Sequence, residues 1–458
     1  MDKAKTDRRE IFENKSVPAA VFSLVIPTVI TQILNIVYNF ADTWFVGRTG
    51  NENAVAAISV AMPLFIIMAA LSNLFGIGAS SVISRSLGAK KEEDAKSAFS
   101  FALWGSIGAA VLYGVVIFFF REKIVYIIGG DDNSKQYIAD YLLWTVAVGS
   151  VPTMLTTLFG HLVRSVGKSK AAGLIMSSGA VLNILLDPLF MFVILPKGYE
   201  VTGAAIATLL SNVVSCIIFI IYVYRSKDSV FTLDIKQFNI KSKIVPELLA
   251  TGAPACLSTS LAMVSNIAAN LFMSSYGTAA VAGLGIAKKA NTLAFNINMG
   301  LTQGVLPLIG YTYAAKNYDR MKKTIFFTLG VSVCFSVTCT FIYRSFASPI
   351  IRFFIDEPET VKEGTKLLPT LAIAVVFCAM TFLMNTIFQA TGKKLYSLVT
   401  SVLRKGIFDI PLMYLFGKMW QETGIVVATP VSEVLSILVA GVLLFKFFKT
   451  VKIKDKNA

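Results

Sequence analysis

The sequence predicts an all-α integral membrane protein with twelve transmembrane helices in two six-helix bundles. Of its 458 residues, 55% are hydrophobic and 15% are charged, whereas soluble proteins average about 25% charged residues. Twelve apolar segments follow one another along the chain, and each is long enough to cross a bilayer. The second half of the chain also repeats features of the first half.

The apolar segments define the predicted helices and the domain organisation. Short loops rich in Gly and charged residues separate the segments, and the longer linkers are 225–245 and 344–360. We predict a polar cytoplasmic segment at 1–16, a first lobe at 17–224, a cytoplasmic crossover linker at 225–245, a second lobe at 246–448 and a cytoplasmic tail at 449–458. The predicted membrane segments are 17–46, 54–84, 97–120, 136–160, 171–195, 201–224, 246–275, 280–310, 324–343, 361–391, 395–416 and 424–448.

Basic residues are distributed unevenly between the two sets of alternate loops. Of the 42 Lys and Arg residues, 28 lie in the termini and every second loop, 10 lie in the opposite loops and 4 lie within predicted helices. Because cytoplasmic loops carry the excess of Lys and Arg, we predict that both termini are cytoplasmic and that the helix count is even. This asymmetry also accounts for the net charge of +15, so we predict no nucleic-acid partner.

The two halves of the chain align when one is shifted by 226 residues. VAAISVAMPL at 55–64 then lies on VAGLGIAKKA at 281–290, and Lys90 lies on Lys316. Because six is an even number, both copies enter the membrane in the same orientation and are related by a pseudo-twofold axis along the membrane normal. Two such bundles enclose a cavity that can open to either side, which is the architecture of a transporter.

The first apolar segment contains two residues that a simple membrane anchor does not need. Pro27 removes a backbone donor and should bend the helix. Asp42 places a carboxylate in a hydrophobic span, at a cost of about 3 kcal/mol on insertion scales. We therefore predict a helix that bends at Pro27 and titrates at Asp42.

Polar residues on two other predicted helices of the first lobe lie in its outer half. Asn183 and Asp187 are four residues apart and share one helix face, and Thr208 lies about as deep on the next helix. With Asp42 they supply two carboxylates, an amide and a hydroxyl, which suit a hard cation or a proton. The alternative is that a neighbouring hydroxyl or amide satisfies each acid separately, in a structural role.

The second lobe has charged residues of its own within predicted helices. Their depths agree, so we predict a buried ion-pair cluster that is either a static clamp or a ligand site. Arg404 and Lys405 either line the cavity or extend towards the inner membrane surface. His161, the only histidine, is predicted at a loop edge. The members of the predicted cluster are Lys288, Lys289, Asp409 and Glu433.

Amide, aromatic and Met side chains are frequent on the first, second, seventh and eighth predicted helices. Flexible Met beside aromatic and amide groups forms a surface that can repack around varied amphipathic cations. Packing between helices explains many of these residues equally well. The candidate cavity residues are Gln32, Asn35, Tyr38, Asn39, Met62, Asn73, Asn266, Asn270, Met273 and Met299.

Several motifs in both halves of the chain carry a resemblance to a known family. The first half contains IPTVITQILNIVYNFADTWFVGRTG, GIGASSVISRSLGAKKEEDA and NILLDP, and the second half contains GAPACLS, VAGLGIAKK and QGVLPLIGYTYAAKNYDR. Together these motifs resemble the multidrug and toxic compound extrusion (MATE) family, and most closely its bacterial MepA-type and DinF-type exporters. The resemblance spans nearly the whole chain in order.

The resemblance implies a V-shaped pair of lobes and secondary active export of small cationic or amphipathic drugs in exchange for H⁺ or Na⁺, by alternating access. It implies a cation-coupling set of Asp42, Asn183, Asp187 and Thr208, with bending at Pro27. Some relatives also use acids on the seventh and tenth helices; this chain has none in the middle of those helices, which favours coupling in the first lobe.

The resemblance further implies a multi-pass protein of the bacterial inner (plasma) membrane, which we expect to be a monomer. The bilayer and its drug substrates are the expected partners. We expect no cofactor beyond the coupling ion, and no metal other than Na⁺ at the cation-coupling site.

A lipid-linked oligosaccharide flippase of the same superfamily is the alternative function. Such a protein needs a cavity with net positive charge for pyrophosphate, and the basic residues of the second lobe could supply it. An enzyme is not expected, because the chain contains neither HExxH nor GxSxG and has one His.

Overall fold

The structure, a computed structural model, describes residues 3–49, 52–132, 134–226, 228–240 and 242–456. Within these ranges every regular element is helical, which confirms the predicted all-α class. The membrane helices are α1 (Val17–Gly47), α2 (Glu52–Gly88), α3 (Glu92–Ile127), α4 (Lys135–Val148 and Ser150–Ser165), α5 (Ser169–Ile194), α6 (Glu200–Arg225), α7 (Ile244–Ser274), α8 (Thr278–Ala314), α9 (Tyr318–Ser345), α10 (Pro358–Ala390), α11 (394–419) and α12 (422–456).

The predicted count of twelve helices follows from these bounds. Among the described residues, nine helical stretches are long and apolar enough to cross a membrane, with Lys394–Ile453 counted as one. The two parts of α4, bent by 50°, form a tenth span. Helix α8 adds a further 37-residue helix. The stretch Lys394–Ile453 counts as two helices, because Trp420 and Gln421 leave helical geometry.

The two halves share a local backbone feature that the repeat predicts. Lys90 and Lys316 both have φ of 60°, a left-handed conformation that non-glycine residues seldom adopt. Each follows the long second helix of its half, α2 or α8. The two six-helix bundles therefore preserve the same turn at equivalent places.

The lobes meet tightly near the face that carries both termini, which we name the terminal face. A methyl group built on Gly78 of α2 would overlap the carbonyl oxygen of Leu248, and one built on Gly252 of α7 would overlap that of Leu74. Ser81 Oγ donates to the Gln389 carbonyl oxygen at 2.5 Å. Backbone contact of this kind closes the space between the lobes at the terminal face.

The N-terminal segment packs on this closed face. It is helical over Lys3–Arg9 and continues in a π-helical turn, Glu10–Asn14. Phe12 is wholly buried, with its ring centroid 4.8 Å from that of Tyr311. Arg8 Nη2 lies 2.6 Å from Asp228 Oδ1 in the linker between the lobes. The segment thus contacts both the linker and the second lobe.

Candidate functional site

A cavity of about 630 Å³ lies between the lobes, in the half of the molecule away from the terminal face. The second half of α1 and the start of α2 form one wall, and the first half of α8 forms part of the opposite wall. The lining residues are Gln32, Asn35, Ile36, Tyr38, Asn39, Phe40, Asp42, Thr43, Val46, Ile58, Ser59, Met62, Phe65, Tyr141, Thr208, Lys289, Thr292 and Asn296.

Asp42 is the acidic residue of this lining. Its side chain lies on α1, five residues before the helix ends at Gly47, and the residue is 8% exposed. Its Oδ1 atom has no hydrogen-bond partner in the part of the chain that the structure describes. A buried carboxylate oxygen without a donor is costly, so Asp42 is placed to take up a proton or a cation from the cavity.

Asn183, Asp187 and Thr208 form a hydrogen-bonded group beside this cavity. Asn183 Nδ2 lies 3.2 Å from Asp187 Oδ1 and 3.3 Å from Thr208 Oγ1. Asn183 and Asp187 share a face of α5, as their four-residue spacing predicts. Thr208 lines the main cavity as well as a smaller polar pocket of about 210 Å³ that extends into the first lobe and includes Asn183.

The buried oxygen atoms of this group, and that of Asp42 in the neighbouring cavity, are of the type that a small hard cation or a proton takes. Asp42 Oδ1, Asn183 Oδ1 and Asp187 Oδ2 are all buried without a hydrogen-bond partner among the described residues. Carboxylate and amide oxygens are the ligands that hard cations prefer. Asp187 is wholly buried, so binding of one positive charge would offset the cost of burying its carboxylate.

Helix α1 is held closely on both sides of Pro27. A methyl group on Gly173 of α5 would lie 2.8 Å from the Pro27 carbonyl oxygen, and one on Gly304 of α8 would lie 2.9 Å from the Cα of Val25. Thr28 and Thr31 donate to the carbonyl oxygens of residues 24 and 27, at 3.0 and 2.9 Å. A bend at Pro27 would therefore move the Asp42 end of α1 relative to both lobes.

The comparisons with known proteins identify the family. The MatE family model matches residues 27–189 and 254–415, one match in each lobe. The chain belongs to the MatE family.

Curated relatives of this MatE chain are named as multidrug export proteins. The MepA proteins of Staphylococcus saprophyticus and Staphylococcus aureus are each 29% identical to it, over 444 and 447 residues, with 96% of both chains covered. Solved MATE structures have the same fold: one in complex with MaL6 superimposes with a TM-score of 0.90 at 21% identity, covering 97% of this chain and 99% of that one. A MATE structure in a bent conformation gives 0.89 at 21% identity, covering 99% of each chain.

The structure places the predicted cavity residues of the MatE chain in two groups. Those on α1 and α2, apart from Asn73, line the cavity: Gln32, Asn35, Tyr38, Asn39 and Met62. The other predicted residues lie elsewhere, since Asn73 Nδ2 donates to Thr259 Oγ1 at 3.3 Å, Asn266 accepts from Lys288, and neither Asn270 nor Met299 is in the lining. The prediction for Met273 is wrong, because it is wholly buried in the core of the second lobe.

The second-lobe cluster contains both predicted acids, but its basic residues are Arg404 and Lys405, and the prediction of Lys288 and Lys289 in it is wrong. Arg404 Nη1 lies 3.4 Å from Glu433 Oε1, and Lys405 Nζ lies 2.9 Å from Asp409 Oδ2. Lys288 instead donates to Asn266 Oδ1 at 3.1 Å. The cluster is therefore a set of buried ion pairs, and two hydroxyl groups also donate to its acids: Ser265 Oγ lies 2.6 Å from Asp409 Oδ2 and Thr381 Oγ1 lies 2.7 Å from Glu433 Oε2.

Two further residues of the MatE chain differ from the sequence expectations. Lys289 lines the cavity, with Nζ 5.2 Å from the centre of the Phe40 ring. His161 is buried, and a methyl group on Gly76 of α2 would lie 2.6 Å from its ring. The prediction of a loop-edge histidine is therefore wrong, because His161 lies within the second part of α4 and its ring packs against α2.

Sequence reasoning missed several lining residues, and the polar ones are Thr43, Ser59, Tyr141 and Thr292. Thr292 and Asn296 follow Lys289 at spacings of three and seven, so the three share a face of α8. That spacing was available in the sequence. Tyr141 gave no comparable signal, because only the packing of α4 determines that it faces the cavity.

Proposed function

We propose that this protein is a secondary active antiporter that exports cationic or amphipathic drugs in exchange for H⁺ or Na⁺. The single observation that carries the proposal is the cavity between the lobes, which contains Asp42 and adjoins the group formed by Asn183, Asp187 and Thr208. The names of the MepA relatives, multidrug export proteins, support the same function.

The cavity wall suits an amphipathic cation of drug size. Its volume of about 630 Å³ lies in the range of small-molecule sites. Phe40, Phe65 and Met62 offer apolar and polarizable contacts, and amide groups line the same wall. Asp42 supplies the negative charge that a cationic drug would meet.

Cation binding and drug binding would compete through this charge. A proton or Na⁺ on Asp42 and Asp187 removes the negative charge that holds a cationic drug. A ligand moves a conformational equilibrium only by its differential affinity for the two states. The buried oxygens without partners would supply that difference if the cation reaches them together in one conformation only, which bending of α1 would bring about by moving Asp42.

Helix α1 would connect the two events. In the present conformation the lobes are closed at the terminal face, and the cavity lies on the other side. Bending at Pro27 would shift the lining residues of α1 and shrink the cavity. MATE proteins solved in a bent and in a straight conformation support two arrangements in this fold.

Export towards the outside follows if the terminal face is cytoplasmic. The excess of Lys and Arg in the loops of that face supports this orientation. We therefore propose that both termini lie in the cytoplasm and that the membrane is the bacterial plasma membrane. We also propose that the protein acts as a monomer.

The contacts of the second lobe favour a drug exporter over a lipid-linked oligosaccharide flippase. Arg404 and Lys405 are paired with Glu433 and Asp409, so they add no net positive charge for a pyrophosphate. The described cavity lining contains one basic residue, Lys289, and one acidic residue, Asp42, so the lining has no formal excess of positive charge.

The test is efflux of a fluorescent cationic dye from proteoliposomes, with a pH gradient and a Na⁺ gradient imposed separately. We expect one gradient to drive efflux by the unmodified protein and to identify the coupling ion. Asp42→Asn should reduce gradient-driven efflux at least about tenfold, because the loss of a charged partner is worth about 1.5–3 kcal/mol. The control is Asp356→Asn, which neutralises an exposed carboxylate outside the cavity.

Two results would contradict the proposal. Equal efflux by Asp42→Asn and Asp356→Asn would make Asp42 structural. Absence of dye movement under either gradient, together with movement of a labelled lipid-linked oligosaccharide, would support the flippase.

A further inference from the structure

A groove of about 630 Å³, separate from the cavity between the lobes, lies on the lipid-facing surface near the terminal face. It runs between the start of α9 and the end of α12. Its lining combines three lysines with three aromatic rings and one aliphatic side chain. The lining residues are Lys322, Phe326, Phe445, Phe448, Lys449, Lys452 and Ile453.

Helical spacing brings these side chains together. Lys322 and Phe326 are four residues apart on α9 and share one face. On α12 the spacing of 445, 448, 449 and 452 corresponds to i, i+3, i+4 and i+7, a single stripe along the helix. The groove is thus formed by one stripe from each helix.

Charge and apolar surface are layered along both helices in the same order. On α9, which begins at Tyr318, Lys322 lies one turn nearer the terminal face than Phe326. On α12 the chain runs towards that face, so Lys449 and Lys452 lie nearer to it than Phe445. The aromatic rings are open to the surroundings, with Phe326 63% and Phe445 72% exposed.

The three lysines lack an acidic partner among the residues whose side chains are described. No Asp or Glu is in the lining, and none of the three takes part in a recorded ion pair, whereas the neighbouring Lys323 is paired with Asp319 at 2.8 Å. Long lysine side chains at this depth reach the headgroup level of a bilayer. Among the residues whose side chains are described, the groove therefore combines lysines without an acidic partner at the membrane surface with an apolar channel below them.

We propose that this groove binds an anionic glycerophospholipid of the leaflet on the terminal side. The phosphate would lie among Lys322, Lys449 and Lys452, and an acyl chain would lie along Phe326 and Phe445. Basic pockets between transmembrane helices bind anionic headgroups in this manner. The site goes beyond the proposed transport function and does not depend on it.

The test measures lipid binding by the full-length protein in detergent, using the fluorescence anisotropy of phosphatidylglycerol with a labelled acyl chain. Unlabelled phosphatidylglycerol should displace the probe, whereas phosphatidylcholine with the same acyl chains should not. Inorganic phosphate at matched ionic strength should not displace it either, which separates a lipid from a free anion.

The variant is the triple substitution Lys322→Gln, Lys449→Gln, Lys452→Gln, which should weaken binding at least tenfold. Its charge-matched control is Lys91→Gln, Lys170→Gln, Lys394→Gln, three exposed lysines in other loops of the same face, and should change binding less than twofold. A separate variant, Phe326→Ala with Phe445→Ala, keeps the charge and should also weaken binding. Melting curves of each variant confirm that it is folded.

Three outcomes would overturn the proposal. Equal losses in the triple variant and its control would indicate non-specific attraction to the whole face. Competition by phosphatidylcholine as strong as that by phosphatidylglycerol would remove the headgroup site. Unchanged binding in the double Phe variant would remove the acyl channel.

Discussion

Glu433 and Arg404 form a buried ion pair in the second lobe, and the loss of either charge should destabilise the protein. Glu433 is wholly buried and faces Arg404 at 3.4 Å and Lys405 at 3.9 Å. Removing one partner of a buried ion pair leaves the other charge uncompensated, which costs about 3–5 kcal/mol. We expect Glu433→Gln to lower the melting temperature of the purified protein strongly, and Glu433→Gln with Arg404→Gln to restore part of the loss.

The exposed acid Glu359 gives the matched control, since Glu359→Gln removes a carboxylate at the surface. Its melting temperature should stay close to that of the unmodified protein. If Glu433→Gln melted like Glu359→Gln, or if adding Arg404→Gln lowered stability further, the ion pair would not be the reason for burying these charges.

Neighbouring residues also show the limit of what the sequence predicts at this scale. Counting along a helix predicts similar depths for Lys288 and Lys289, but adjacent residues are about 100° apart around an α-helix. Lys288 therefore turns to Asn266, while Lys289 turns to the cavity. Asn183 and Asp187 were easier to place together, because a spacing of four fixes their relative direction whatever the rotation of the helix.

At the scale of helices, the close contact of α2 with α7 depends on glycine. A methyl group on Gly252 has no room beside the Leu74 carbonyl, so Gly252→Ala should push the helices apart at the terminal face at a cost of about 1–3 kcal/mol. We expect spin labels at Lys91 and Lys316, one in each lobe, to give longer distances in this variant. Gly285→Ala is the control, because a methyl group there would meet no atom within 4 Å; equal distances in the two variants would contradict the prediction.

The elements themselves were predictable where apolar length and charged loops define them. Helix α1 was predicted at 17–46 and is observed at Val17–Gly47. The bend in α4 was not predicted: π-helical turns at Leu143–Val148 and a break at Gly149 lie within the segment 136–160, which was predicted as one helix although it contains Gly149 and Pro152. Backbone irregularities of this kind depend on packing between helices, which a single segment does not encode.

At the scale of the whole molecule, the N-terminal segment acts across the gap between the lobes. Phe12 packs on Tyr311 of the second lobe and lies close to Gly167 of the first lobe, while Arg320 donates to the carbonyl oxygen of Ile11 at 3.2 Å. The sequence predicted this region only as polar and cytoplasmic. One aromatic residue in a charged segment carries no periodic signal, so its buried position could not be derived from the pattern.

The segment should stabilise the conformation that is closed at the terminal face. Phe12→Ala removes a wholly buried ring, which costs about 3–5 kcal/mol. We expect this loss to fall on the closed conformation, in which Tyr311 of one lobe and Gly167 of the other enclose the ring. A shift of that size changes the ratio of the closed to the open conformation about a hundredfold or more.

The readout is alkylation of a cysteine placed at Ser81, a wholly buried position at the lobe contact, in a background with the native cysteines replaced. We expect faster alkylation in Phe12→Ala and no change in Asn14→Ala, an exposed neighbour. Equal rates in the two variants would show that the lobes stay closed without the segment, and that the glycine contact of α2 and α7 suffices to hold them.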